Sequence, residues 1–320
     1  MKKVILSVLA VAALASCVQN EVVNPQQAID FGTPLVSNTT KADPSYGQNG
    51  VELKAFNVYG TVEGSGNGVV NIFDDALVEG SIGQNVWRCG VKQYWIPGAT
   101  YNFAAVVDAN VDKDANKMPE TLTTVANNEG YLKDMLYAFN GPIRAGETND
   151  AVNFNFKHLL AKAQFVVTST TEGGYYYNVE AIKINNFATG TYTIATKLWN
   201  KGEAKAYVLD SIEDLSAANT NVTSDTQVLL IPTATAFTVE YLVKLYNSNG
   251  TADKRDDVLL RTIDKTGVNA QVVEIKNNND EIIGIQGGYA YNFNLALTAG
   301  TEIQFTVTGQ PTWANGGANL

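Results

Sequence analysis

The chain has 320 residues and a formal charge of −10, with 45% hydrophobic, 10% aromatic and 17% charged side chains. So large an apolar fraction excludes a disordered chain, which cannot bury enough surface to offset its conformational entropy. The acidic balance, without any cluster of Lys and Arg, excludes nucleic acid as a partner, because phosphate binding needs a concentrated basic face.

The first segment, "MKKVILSVLAVAALASC", joins two basic residues, Lys2 and Lys3, to an apolar run from Val4 to Ala15. That run is too short to span a bilayer comfortably and reads as an export signal. It ends in "LASC", Leu14 to Cys17, which resembles a bacterial lipobox. Small residues before the cysteine admit a signal peptidase, and the thiol accepts a diacylglycerol. Residues 1–16 are then the lipoprotein signal peptide, and lipidation at Cys17 anchors the chain to a membrane without spanning it. An ordinary secretory signal with an incidental cysteine is the alternative. Only one other cysteine exists, Cys89, so lipidation leaves no intramolecular disulfide, and Cys89 reads as a small buried residue.

Residues 28–34, "AIDFGTP", alternate like a strand, with Ile29, Phe31 and Thr33 on one face. A polar run follows and leads to a single basic residue, Lys41. Beyond residue 50, strand signals dominate. "YNFAAVV" places Tyr101, Phe103, Ala105 and Val107 on one face, and "FTVEYLVKL" does so with Phe237, Val239, Tyr241, Val243 and Leu245. "YAYNFNLAL" and "IQFTVT", from Tyr289 and Ile303, repeat the pattern. Period two with one apolar face predicts half-buried antiparallel strands. "VLLIP", Val228 to Pro232, is continuously apolar and fits a strand covered on both faces. Turn signals at 64–68, 248–250, 277–280 and 287–288 separate these runs. "EGYLKDMLYAF" predicts one short helix, from the spacing of Leu132, Met135 and Leu136. Strands without alternating helices argue against a parallel α/β sheet and for two β-sandwiches in series, 42–157 and 158–320.

No constellation for catalysis emerges. His158 is the only histidine, no G-x-S-x-G surrounds a serine, and no H-E-x-x-H exists. The glycine-rich "GTVEGSGNG" follows a strand but opens no helix, so it reads as a hairpin loop and not as a phosphate cradle. Asp108, Asn110, Asp112 and Asp114 have the spacing of the first calcium-loop ligands. Lys113 stands where the turn wants glycine, however, and Pro119 where the bidentate glutamate belongs, so the segment reads as a solvated loop or a weak calcium site. Trp87, Trp95, Trp199 and Trp313 serve either as core or, if exposed, as stacking platforms for sugars; Trp95, at a strand end, reads as core. No cofactor is implied.

"FNFKHLLAKAQFVV", Phe154 to Val167, resembles a stretch of the Bacteroidales fimbrillins: an aromatic at Phe156, His158, then Ala161, Lys162 and an apolar strand. The ending "GGYAYNFNLALTAGTEIQFTVTGQPTW", closing on Trp313, is similar to the fimbrillin C-terminal hairpin, and the lipobox and the "IDFGT…NTTKAD" leader fit the same family. The resemblance implies an all-β fold of two transthyretin-like sandwiches, exported as a lipoprotein to the outer membrane. It further implies proteolytic cleavage after a basic residue, here Lys41, where better-known members carry arginine. Residues 17–41 then form the leader, with Ile29 and Phe31 plugging a groove. Removal of that strand lets a strand of another subunit, from its C-terminal end, take its place by β-strand addition. His158 is a packing residue at a strand entrance in this reading. The partners implied are other fimbrial subunits, the membrane through the lipid, and a host or bacterial surface ligand. A flexible tether at 18–41 and a non-polymerising, glycan-binding lipoprotein are the competing readings, with stalk, tip and anchor roles all open.

Overall fold

The computed structural model describes residues 27–36, 53–64, 68–81, 86–146, 148–216, 221–223, 227–251, 253–298 and 303–310. These residues are almost wholly β. The first strands are β1 (Leu35–Val36), β2 (Ala55–Glu63), β3 (Val70–Ser81), β4 (Val86–Cys89), β5 (Thr100–Val107), β6 (Ala109–Lys113), β7 (Pro119–Thr124), β8 (Leu136–Arg144) and β9 (Asn155–His158). There follow β10 (Ala161–Ser169), β11 (Tyr175–Phe187), β12 (Gly190–Thr193), β13 (Leu198–Lys201), β14 (Ala204–Val208), β15 (Ile212–Leu215) and β16 (Asn221–Thr223). The last are β17 (Val228–Leu230), β18 (Phe237–Asn247), β19 (Val258–Lys265), β20 (Gln271–Val273), β21 (Ala290–Leu297) and β22 (Gln304–Gln310).

A seven-stranded sheet runs in the order β1-β9-β8-β5-β2-β3-β4. Its inward residues, among them Phe56, Phe73, Phe103, Leu136, Phe154 and Phe156, form one core with Trp87 and Trp95. Two further sheets build a sandwich. One carries β16-β10-β21-β22 with β17 beside β10; the other carries β14-β11-β18-β19 with β15 and β20 at its flanks. Between them Phe165, Phe293, Phe305, Phe237 and Tyr241 meet as aromatic pairs. The centre of this sandwich is the parallel ladder of β10 and β21, in register from Lys162↔Ala290 to Ser169↔Leu297. A four-stranded sheet, β13-β12-β7-β6, takes two strands from each half of the chain.

The alternation expected of β18 and β21 is present: Val239, Tyr241 and Val243, then Tyr291, Phe293, Leu295 and Leu297, point into the core. Val228 to Ile231 are buried throughout, as a continuous apolar run demands. Three expectations need correction. First, β5 is buried on both faces from Phe103 onward. Phe103, Ala105 and Val107 enter the first core, while Ala104 and Val106 join the second. Second, residues 129–139 form no helix. The Asn127 side-chain oxygen accepts the N–H groups of Glu129 and Tyr131 and holds a turn; Leu132 then bridges Ala126, and Leu136 opens β8. Third, residues 108–120 are a hairpin of β6 and β7 and not a free loop.

Candidate functional site: a groove closed by the N-terminal segment

Residues 27–36 lie along the seam where the two ends of the seven-stranded sheet come together. On one side, the Ile29 N–H donates to the Gln93 carbonyl at 2.8 Å, the Trp95 N–H donates to the Gln27 carbonyl at 2.9 Å, and Phe31 bridges Trp87 of the edge strand β4. On the other side the segment runs parallel to the chain entering β9. Val152 donates to the Asp30 carbonyl at 2.8 Å, Gly32 to Val152 at 3.0 Å, and Leu35 to Phe154 at 2.8 Å, before β1 pairs Leu35↔Asn155 and Val36↔Phe156. Extended backbone has hydrogen-bonding groups on both edges, and here both edges are used.

The side chains alternate as the sequence requires. Ile29 and Phe31 are each only 5% exposed, while Asp30 faces solvent. The ring of Phe31 lies within 6.5 Å, centroid to centroid, of Phe56, Phe73, Phe103 and Phe154. Three of these contacts are edge-on and one is stacked, the arrangements that aromatic quadrupoles favour. Trp87 packs on Phe56, and Trp95 on Tyr101 and Phe103. The walls of the groove, Trp87, Trp95, Phe73 and Phe154, were not singled out as such from sequence. Their only local signal is the F-x-F repeat at 154–156, which aims two aromatics at one face.

Other sequence candidates fall elsewhere. Cys17, Lys41 and Trp313 lie outside the described residues. His158 closes β9, and its Nδ1 sits 2.8 Å from Asp134 Oδ2, with both side chains almost fully buried. Cys89 is half-buried at the end of β4, not fully enclosed, and burial pushes its thiol up, against a smaller opposing pull from the Val91 backbone; a reactive thiol needs the reverse. The four candidate calcium ligands do not converge. Asp114 caps its own turn by accepting the N–H groups of Asn116 and Met118, Asp112 accepts the Thr121 hydroxyl, and Asp108 pairs with Lys133 at 3.5 Å. Among the described residues no group of three or more His, Cys, Asp or Glu could hold a metal ion. Trp87 and Trp95 are buried and Trp199 is partly buried against Tyr192.

Fold and groove together define an all-β sandwich protein in which an N-terminal segment completes a sheet that would otherwise stay open. The chain belongs to the fimbrillin-like family, whose model matches residues 40–311. No curated protein matches the sequence. Among solved structures it is similar to a fimbrial protein from Bacteroides vulgatus, at 13% identity and a TM-score of 0.60, with 90% of this chain and 100% of that chain covered. Looser likenesses are a putative cell adhesion protein from Bacteroides uniformis (13% identity, 90% and 98% covered, TM-score 0.47) and the fimbrial anchor protein Mfa2 from Porphyromonas gingivalis (11% identity, 89% and 97% covered, TM-score 0.38).

Proposed function

We propose that the protein is a structural subunit of a cell-surface fimbria that serves adhesion, and that residues 27–36 are a temporary occupant of the groove. In this reading the precursor is exported as a lipoprotein, lipidated at Cys17 and held at the outer membrane. Cleavage after Lys41 then releases residues 17–41 from a body made of two domains, 42–157 and 158–320. The observation that supports it is Phe31, which bridges Trp87 at one edge and Val152 at the other while filling the aromatic pocket between them. Loss of the segment would leave two unpaired strand edges and an exposed apolar floor, a combination that strongly favours pairing with another strand. The family match begins at residue 40, next to the expected cut.

A strand of a second subunit would then restore the hydrogen bonds and refill the pocket, with alternate side chains setting the register. The terminal hairpin is the best-suited donor. Among the described residues β22 is hydrogen-bonded to β21 alone at the edge of its sheet, so freeing it breaks a single described ladder. Its Phe305 and Val307 are only partly buried where they are.

The test is the N-terminus of the protein recovered from the surface of its native cells, read by mass spectrometry. A chain beginning at Ala42 supports strand replacement. A chain still beginning at lipidated Cys17 overturns it, and makes the protein a permanently anchored subunit or a non-polymerising surface binder.

A further inference from the structure

A cleft of about 540 Å³ opens where the turn at 171–174, the loop at 248–257 and residues 214–216 meet. Its lining includes Thr171, Tyr175, Tyr176, Asp214, Lys254 and Asp257. None of these belongs to the sheet that residues 27–36 close. The walls are fixed by their own bonds. The Tyr176 hydroxyl donates to Asp257 Oδ2, its ring stacks on Tyr246 with centroids 5.2 Å apart, and Lys254 pairs with Asp214 while lying over the Tyr176 ring. Across the cleft mouth Ser248 donates its N–H to the Gly174 carbonyl at 2.9 Å.

Two polar atoms are left over. Thr171 is 0% exposed and its Oγ1 has no hydrogen-bond partner; Asp257 Oδ1 is likewise buried and unpartnered, since only Oδ2 takes the tyrosine. Buried oxygens of this kind are uncommon, because each carries an unpaid desolvation cost. Both residues line the same cleft. Beside them Tyr175 stands 38% exposed at the start of β11, an aromatic surface open to a partner.

We propose that this cleft binds a neutral saccharide. A carboxylate oxygen needs a donor, a threonine hydroxyl can give or take a hydrogen bond, and sugar hydroxyls do both. The flank of a pyranose ring supplies the apolar C–H surface that a tyrosine face receives. Glu172, Asp214 and Asp257 outnumber Lys254 in the lining, so the local field repels anionic sugars and phosphate. The volume lies within the range of small-molecule sites and suits one or two sugar rings. The site does not depend on leader cleavage or polymerisation, so it stands or falls separately from the assembly proposed above.

The experiment is saturation-transfer NMR on the purified full-length protein with the methyl glycosides of glucose, galactose, mannose, fucose and N-acetylglucosamine, with N-acetylneuraminic acid as the anionic control. At least one neutral glycoside should receive saturation and the anionic sugar should not. Tyr175→Ala and Asp257→Asn should each weaken the interaction by about tenfold or more, the loss expected from one strong contact. Silence from every neutral glycoside, preference for the anionic sugar, or unchanged binding in Tyr175→Ala would each overturn the proposal. Should Asp257→Asn fail to fold, Tyr175→Ala decides alone, because its side chain is exposed.

Discussion

Phe31 and Phe154 stack with centroids 6.0 Å apart and planes inclined by 19°. The first belongs to the N-terminal segment and the second to the chain entering β9, and the Leu35 N–H donates to the carbonyl of that same Phe154. Ring and backbone therefore hold the segment at the same point. Ile29 and Phe31 contribute about 2 kcal/mol each from burial alone, and the remaining grip comes from hydrogen bonds that any extended strand could make.

Replacing Phe31 with alanine should loosen this segment without unfolding the body. A buried Phe→Ala change costs about 3–5 kcal/mol, but the loss cannot exceed the free energy with which residues 27–36 dock. Hydrogen exchange should show lost protection at the amides of Ile29, Gly32, Leu35 and Val152, all bonded across the seam, while amides of β10 and β21 keep theirs. Local opening of this kind is read directly by exchange. Equal protection in the variant and the parent would show that Phe31 does not hold the segment.

The floor of the groove is as tightly fitted as its occupant. A Cβ added at Gly60 of β2 would stand 2.9 Å from Phe73 and 3.0 Å from Phe103, closer than carbon atoms pack. Both rings touch Phe31, so neither can retreat freely. Gly60→Ala, which elsewhere in a strand would be favourable, should therefore destabilise by about 1–3 kcal/mol through overpacking. Urea denaturation followed by tryptophan fluorescence would detect this, and a midpoint equal to or above the parent's would refute it.

Much of this was legible in the sequence, and the remainder was hidden for identifiable reasons. Strict alternation in β18 and β21 announces one buried face, and the alternation of Ile29 and Phe31 likewise marks which side of residues 27–36 turns inward. The two-faced burial of β5 is not announced, because Ala104 and Ala105 look alike and only the tertiary structure gives each a core. The spacing of Leu132, Met135 and Leu136 is helical, yet a turn capped by Asn127 followed by a strand buries the same three residues. The groove walls come from distant parts of the chain, and no local pattern reports which edges will meet. The cleft around Thr171 and Asp257 joins three turns, each unremarkable by itself.

The buried pair of His158 and Asp134 should be structural. Their side chains are 3% and 1% exposed and 2.8 Å apart, at the point where β9 hands over to β10. Removing one member of a buried polar pair leaves the other under-compensated, at a cost of about 3–5 kcal/mol. His158→Leu, close in volume, should lower the unfolding free energy measured by chemical denaturation by that amount. Asp134→Asn, which keeps a hydrogen-bonding group in place, should cost less. A neutral His158→Leu would mean that packing alone holds this junction.

Acid should weaken the sandwich that holds β11 and β18 partly through Glu240. The Asn185 amide donates to its Oε1 at 3.1 Å, the Gly267 N–H to its Oε2 at 3.3 Å, and Lys183 lies 3.5 Å away. These contacts, led by the Asn185 hydrogen bond and opposed by desolvation, hold the carboxyl below its ordinary value. In the unfolded chain it titrates near about 4.3. The folded state thus binds its proton less readily than the unfolded one, so the stabilisation is complete above that value and is lost as pH falls through the lower, folded one. Glu240→Gln keeps the shape but not the charge. Its melting temperature should fall below the parent's at pH 7, and the gap should narrow as pH drops from about 4.3 toward 3. The exposed Asp253 and Asp264, also held low by local hydrogen bonds, are common to both proteins and cancel in the comparison. A gap that stays constant across this range would show that the charge on Glu240 contributes nothing to stability.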